Sequence, residues 1–167
     1  MNQVAILFSL VVAALLQAAL PTSVWTGWAP APLLAGVVVY FSLVRSRVHL
    51  MEVALLAGLV EDSLSQVPLG TTSFAYAVSS LAIERWRASL AVRHWTTHAA
   101  VAAAVNAATT AFAFLMLLKD GLIEPQPYAV VLRLVGSVVL GGVFGPLVFQ
   151  AMEGLDDTLG LAESESD

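Results

Sequence analysis

Cysteine is absent from the 167 residues, which excludes disulfides and thiolate metal sites. Charge is scarce as well: Asp, Glu, Lys and Arg together make up 11% of the chain, against about 25% in an average soluble protein. A soluble surface cannot be covered from so small a stock of charge. Apolar/polar alternation of period two is missing too, so a transmembrane β-barrel is not expected. What is there is hydrophobic: 59% of all residues. In lipid every backbone polar group must be satisfied within its own segment, which leaves helices. The chain reads as an all-α, polytopic membrane protein.

The formal charge of −5 says little about partners. Glu153, Asp156, Asp157, Glu163, Glu165 and Asp167 place half of the acids at the C-terminus, where no Lys or Arg follows. Residues 1–152 are close to neutral, so no basic footprint for nucleic acid is present and none is expected as a partner. This divides the chain into one transmembrane domain, 1–152, and an acidic cytoplasmic tail, 153–167, expected to be disordered.

A span takes roughly 20 residues, and six apolar runs are found. They are Val4–Leu20, interrupted only by Gln17, then Ala31–Val44, Val48–Val60 or beyond, Leu69–Ile83, His98–Leu118 and Tyr128–Ala151. The first lacks the basic flank of a signal peptide and reads as a retained helix. Pro21 and Pro30 bracket a loop whose Trp25 and Trp28 suit the headgroup belt. Glu84–Thr97, with Arg85, Trp86, Arg87, Arg93 and Trp95, reads as interfacial. The alanine-rich fifth run is expected to be the central helix, because small side chains allow close packing on several sides. With six helices and an inner N-terminus, Arg45, Arg47, Arg85, Arg87 and Arg93 all face the cytoplasm and Lys119 faces out. Both termini are then cytoplasmic by the positive-inside rule.

The stretch Leu55–Arg87 organises the chain as a helical hairpin: an apolar run, the acids Glu61 and Asp62, a turn at Pro68, Leu69 and Gly70, and a second apolar run. A carboxylate within a span costs roughly 2.5–3.5 kcal/mol on insertion scales, so it needs a partner or a use. Arg133 is the candidate partner for an intramembrane ion pair. It follows Tyr128 by five residues, about 7–8 Å below the outer end of the sixth helix. The same acids are alternatively a surface read by another protein. Adjacent residues on a helix point about 100° apart, so Glu61 and Asp62 do not converge as an acid–base pair. No nucleophile with a base is visible; the chain reads as no enzyme, with no cofactor. His94 and His98 share a helical spacing, but without an intervening carboxylate they read as interfacial rather than as metal ligands.

Ser137, Gly141 and Gly145 repeat every fourth residue along the sixth run, a face for close helix contact. The expected contact is intramolecular, with a homo-oligomer as the alternative. Pro146 removes a backbone donor and should kink that helix. Asn106, Thr109 and Thr110 are expected to hydrogen-bond inside the bundle.

The segment Gly58–Phe74, G-L-V-E-D-S-L-S-Q-V-P-L-G-T-T-S-F, resembles the MreD family of bacterial rod-shape-determining proteins. The likeness lies in a glycine-leucine step, an acid near Asp62, and proline-leucine-glycine opening the next helix. The resemblance implies a non-enzymatic component of the cell-elongation machinery in the bacterial inner membrane. Its partners would be membrane lipids and the bitopic protein MreC, and indirectly MreB filaments, RodA and the partner transpeptidase of RodA in peptidoglycan synthesis. The implied fold is similar to the six-helix substrate-binding (S) components of energy-coupling-factor transporters. That likeness carries the alternative function, a substrate-binding membrane subunit of a vitamin or metal transporter.

Overall fold

The computed structural model describes residues 3–21, 29–65, 67–90, 94–121 and 127–158. The Trp25–Trp28 loop, Gln66, Arg93 and residues 159–167 of the acidic tail lie outside the described residues. Six α-helices follow in chain order: α1 (Gln3–Ala19), α2 (Leu33–Val44), α3 (Arg47–Leu64), α4 (Thr71–Trp86), α5 (Trp95–Lys119) and α6 (Pro127–Thr158). No strand occurs among the described residues.

The boundaries follow local chemistry. Pro32 precedes α2 and lends its carbonyl to the Gly36 N–H at 3.0 Å. Arg45 and Ser46 are both extended, which stops α2 and restarts the chain as α3. Gly70 opens α4 at φ 94°, a conformation that crowds any residue with a Cβ. Pro127 stands at the first position of α6, where its missing N–H leaves no helical bond unmade. Pro146 lies within α6, which continues through it.

The core is helix α2. Leu33 through Leu43 are all buried, and α1, α3, α4, α5 and α6 each pack against this helix. This corrects the expectation that the alanine-rich fifth helix is central. In α5 only His98, Ala102, Val105 and Thr109 are buried, and although α5 also touches α2 and α4, its most extensive contact is with α6. The other five helices surround α2 in the order α1, α3, α4, α5, α6. Between α6 and α1 an apolar groove lined by Phe8, Val12, Leu16, Leu33, Val148 and Met152 reaches in to α2.

The outer faces are apolar. Leu15 (66% exposed), Phe74 (59%) and Val131 (59%) stand for a surface that includes Leu7, Phe8, Val11, Val78, Val135, Val139, Val143 and Leu147. Polar residues such as Ser9, Gln17, Ser42, Ser80 and Ser137 are inside. That inversion suits hydrocarbon as solvent. Trp95–Lys119 and Tyr128–Asp156 are long and apolar enough to cross a membrane; Ile6–Ala19 and Leu33–Val44 are apolar but shorter. Exposed Trp86 and Trp95 mark one end of the bundle and exposed Tyr128 the other, the distribution of an aromatic belt.

Candidate functional site

Helix α3 continues one turn beyond Val60, so Glu61 and Asp62 are helical. Asp62 is 2% exposed. Its carboxylate accepts the Gly70 N–H at 2.7 Å and the Thr72 N–H at 3.0 Å. The first N–H groups of a helix lack partners within it and carry partial positive charge. Gly70, the residue at the cap of α4, has no side chain to meet them. Asp62 therefore caps α4 from across the hairpin, and a type of bond strong in low dielectric holds the Pro68–Gly70 turn. The Thr71 N–H to Pro68 carbonyl bond of 3.2 Å completes that turn, while Leu69 projects outward, 73% exposed. The two helices approach closely at Gly58, where a Cβ would run into the backbone of Ser73.

Glu61 points the other way around α3. It accepts the Tyr76 hydroxyl at 2.7 Å and bonds with the side chain of Gln17. Gln17 in turn accepts the Leu34 N–H at 3.1 Å, satisfying an early donor of α2. One small network thus joins α1, α2, α3 and α4.

Arg133 does not pair with either acid: among the described residues no ion pair joins it to Glu61 or Asp62. Its guanidinium lies over the Phe114 ring, 5.6 Å from the centroid, a cation–π contact. Asp62 is engaged by backbone amides and Glu61 by Tyr76 and Gln17, so neither carboxylate reaches across. A cavity of about 80 Å³ lies here, and both Glu61 and Arg133 line it, with Thr72, Asn106, Thr110 and Ser137.

Below the cavity α5 and α6 are in close contact. A Cβ on Gly141 would lie 2.8 Å from the Ala102 carbonyl oxygen and from the Ala103 Cα, and one on Gly145 would overlap the Ala102 methyl. Ser137, 2% exposed, shares a 2.9 Å bond with the Thr110 hydroxyl. Its carbonyl accepts the Asn106 amide at 2.8 Å. Ser137, Gly141 and Gly145 therefore face α5 of the same chain. Thr109 donates to the Val105 carbonyl at 2.6 Å, and His98 stacks on Phe149 with centroids 3.5 Å apart.

The opposite end of α2 carries a cluster that sequence reasoning missed. Asp156, 6% exposed, accepts the Tyr40 hydroxyl and pairs with the Arg45 guanidinium. Arg87 donates to the Arg45 carbonyl at 3.0 Å. At the surface the Arg47 Nε–H is shared between both carboxylate oxygens of Glu84, each at 3.0 Å. The boundary drawn at 152/153 falls inside α6, which runs through Thr158. Composition grouped Asp156 with the other acids of the tail. The available signal was its spacing: Phe149, Met152 and Asp156 follow at three- and four-residue intervals, and all three are buried.

Many of the polar side chains of the bundle, Asp62, Glu61, Gln17, Ser137, Thr109 and Asp156 among them, are thus held by helix ends, by each other or by carbonyls one turn away. Among the described residues no three His, Asp or Glu side chains gather in metal-binding range. The model of the family described as rod shape-determining protein MreD matches residues 1–153. The chain belongs to the MreD family. No curated protein and no solved structure gave a match. The match ends within α6, three residues before Asp156, so it takes in all six helices. MreD proteins are membrane components of rod-shape determination, and the apolar exterior is that of such a protein.

Proposed function

We propose that this protein is a non-enzymatic scaffold of the cell-elongation machinery. It would bind MreC within the membrane and help couple MreB filaments to peptidoglycan synthesis by RodA and its partner transpeptidase. The observation that carries this reading is the MreD family match across the whole bundle. It agrees with a site whose polar groups hold helices rather than converge on a reacting atom. In this reading all six helices cross the inner membrane and both termini are cytoplasmic. The Arg45, Arg47, Arg85 and Arg87 end then faces inward. Work is done by packing: lipid-exposed helix faces receive single helices from partners through close contact and a few polar bonds.

Depletion in the native host, followed by phase microscopy, tests it. Rods that widen and round up support the reading, and copurification of MreC with the tagged full chain supports the partner. Rods of unchanged shape that grow poorly unless a vitamin or metal is supplied overturn it in favour of a transporter subunit. The size of the polar cavity speaks against a vitamin as cargo. Its volume of about 80 Å³ is well below the roughly 300–1,000 Å³ of a typical small-molecule pocket.

A further inference from the structure

The cavity between α3, α4, α5 and α6 has an uncommon balance. One wall carries a carboxylate, Glu61, and another a guanidinium, Arg133. No ion pair joins them among the described residues, and neither has another charged partner there. Opposite charges in a low-dielectric bundle attract strongly at contact. Both line the cavity without pairing to each other, which favours a ligand positive at one end and negative at the other.

The unused bonding capacity gives that ligand its chemistry. The Arg133 guanidinium lies over the Phe114 ring, and no hydrogen bond or ion pair among the described residues takes its N–H donors, up to five, which leaves them for an oxyanion. Asn106 donates one N–H to Ser137 and keeps its carbonyl oxygen and second N–H. No bond occupies the Thr72 hydroxyl among the described residues. Glu61 receives Tyr76 and Gln17, and a carboxylate has lone pairs for two donors more. These groups form a fork for a phosphate or carboxylate at one side and an acceptor for N–H donors at the other.

Position points to phosphate chemistry at a membrane boundary. Arg133 lies about 7–8 Å along α6 from Tyr128. Tyr128 is 79% exposed, the place of a headgroup-belt aromatic. We propose that the cavity binds a phosphoethanolamine group, the phosphate on Arg133 and the primary ammonium on Glu61. The group comes from a phospholipid head or from the free compound. A quaternary ammonium has no N–H to donate to Glu61. An anionic glycerol head satisfies Arg133 but leaves Glu61 without a counter-charge. This assignment goes beyond the scaffold function and does not depend on which partners are bound.

The test uses the full chain in nanodiscs containing equal parts of phosphatidylethanolamine, phosphatidylcholine and phosphatidylglycerol, released into native mass spectrometry. Wild type should retain phosphatidylethanolamine over each of the others by about tenfold. Arg133→Gln should bring that retention down to the level of the choline lipid, with Arg133→Lys intermediate. Glu61→Gln should erase the preference over the glycerol lipid while leaving phosphate binding. Displacement of the retained lipid by soluble O-phosphoethanolamine supports the site and assigns the free compound as a competent source. Failure to displace it, with the preference intact, supports the site and assigns the lipid. The wild-type comparison needs no variant to fold. Retention of all three lipids in proportion to supply, with no binding of O-phosphoethanolamine, overturns the proposal and leaves a cavity holding water alone. The depletion phenotype is read separately in cells, so either result can stand without the other.

Discussion

Replacing Asp156 with alanine removes the carboxylate that Arg45 and Tyr40 share at the end of α2. Arg45 and Asp156 are each 6% exposed, so this pair lies far from the solvated regime in which ion pairs contribute about 0–1 kcal/mol. Breaking a buried pair by removing one member costs about 3–5 kcal/mol, because the remaining charge stays behind in low dielectric. The Tyr40 hydroxyl also loses its acceptor, but it belongs to the same network and its share is not added on top. Against a total stability of roughly 5–15 kcal/mol, the variant should lose a large part of its resistance to unfolding. Asp156→Asn keeps an acceptor for Tyr40 and should lose about half as much. Arg45→Met combined with Asp156→Leu removes both charges and should cost less than the sum of the single changes by about 1–3 kcal/mol. Reversible unfolding in mixed micelles with rising SDS, followed by helical circular dichroism, measures wild type, these variants and the single changes Arg45→Met and Asp156→Leu. An Asp156→Ala loss below about 0.5 kcal/mol, with additive single and double variants, would refute the reasoning. The same assay bears on the C-terminal end of α6: removing 153–167, and Asp156 with it, should lose at least as much as Asp156→Ala.

Three further outcomes are expected from the same measurement. Gly141→Ala and Gly145→Ala force α5 and α6 apart and should each cost about 1–3 kcal/mol. Gly142→Ala, whose Cβ meets nothing within 4 Å, should be neutral or gain up to about 1 kcal/mol from helix propensity; equal effects at all three glycines would remove the packing argument. Asp62→Ala uncaps α4 and should cost about 1–2 kcal/mol, and Gly70→Ala a similar amount through its left-handed backbone, whereas Leu69→Ala at the exposed tip should change stability little. Glu84→Gln breaks the Arg47 pair, in which Arg47 is 72% exposed, and should change stability by less than about 1 kcal/mol, a loss that salt in the buffer should shrink further.

Much of this architecture is legible in sequence because lipid imposes a simple requirement: long apolar runs must be helical. The six apolar runs coincide with the six helices, and their ends fall at Pro32, Arg45 and Gly70, where backbone chemistry leaves little choice. The close α5–α6 contact is foreshadowed by Ser137, Gly141 and Gly145, since a missing side chain is the plainest mark of a backbone neighbour. Which helix stands at the centre was not legible. In a membrane a helix facing lipid and a helix facing protein are equally apolar, so the all-round burial of α2 has no signature that α5 lacks. Arg133 was misassigned for a related reason. Sequence gives depth along a helix but not azimuth, and depth alone allowed a pair that Phe114 and the intervening cavity prevent. Asp156 was hidden by its neighbours: a window average sees an acidic terminus, whereas the position that matters is a single residue on the buried stripe of α6.

The joint between Asp156 and Arg45 ties one of the last helical residues to one just after the second helix. During synthesis Arg45 is made long before α6. The carboxylate it will meet is added 111 residues later. Until then α2, only about 18 Å long at 1.5 Å per residue, has an arginine at its end and too little length to cross alone. A chain that stops before Asp156 keeps that arginine in the wrong company, and the bundle cannot close around its shortest helix. The order of synthesis thus makes completion of the polypeptide a condition of its stability, and truncated products should be the ones that membrane proteases remove first.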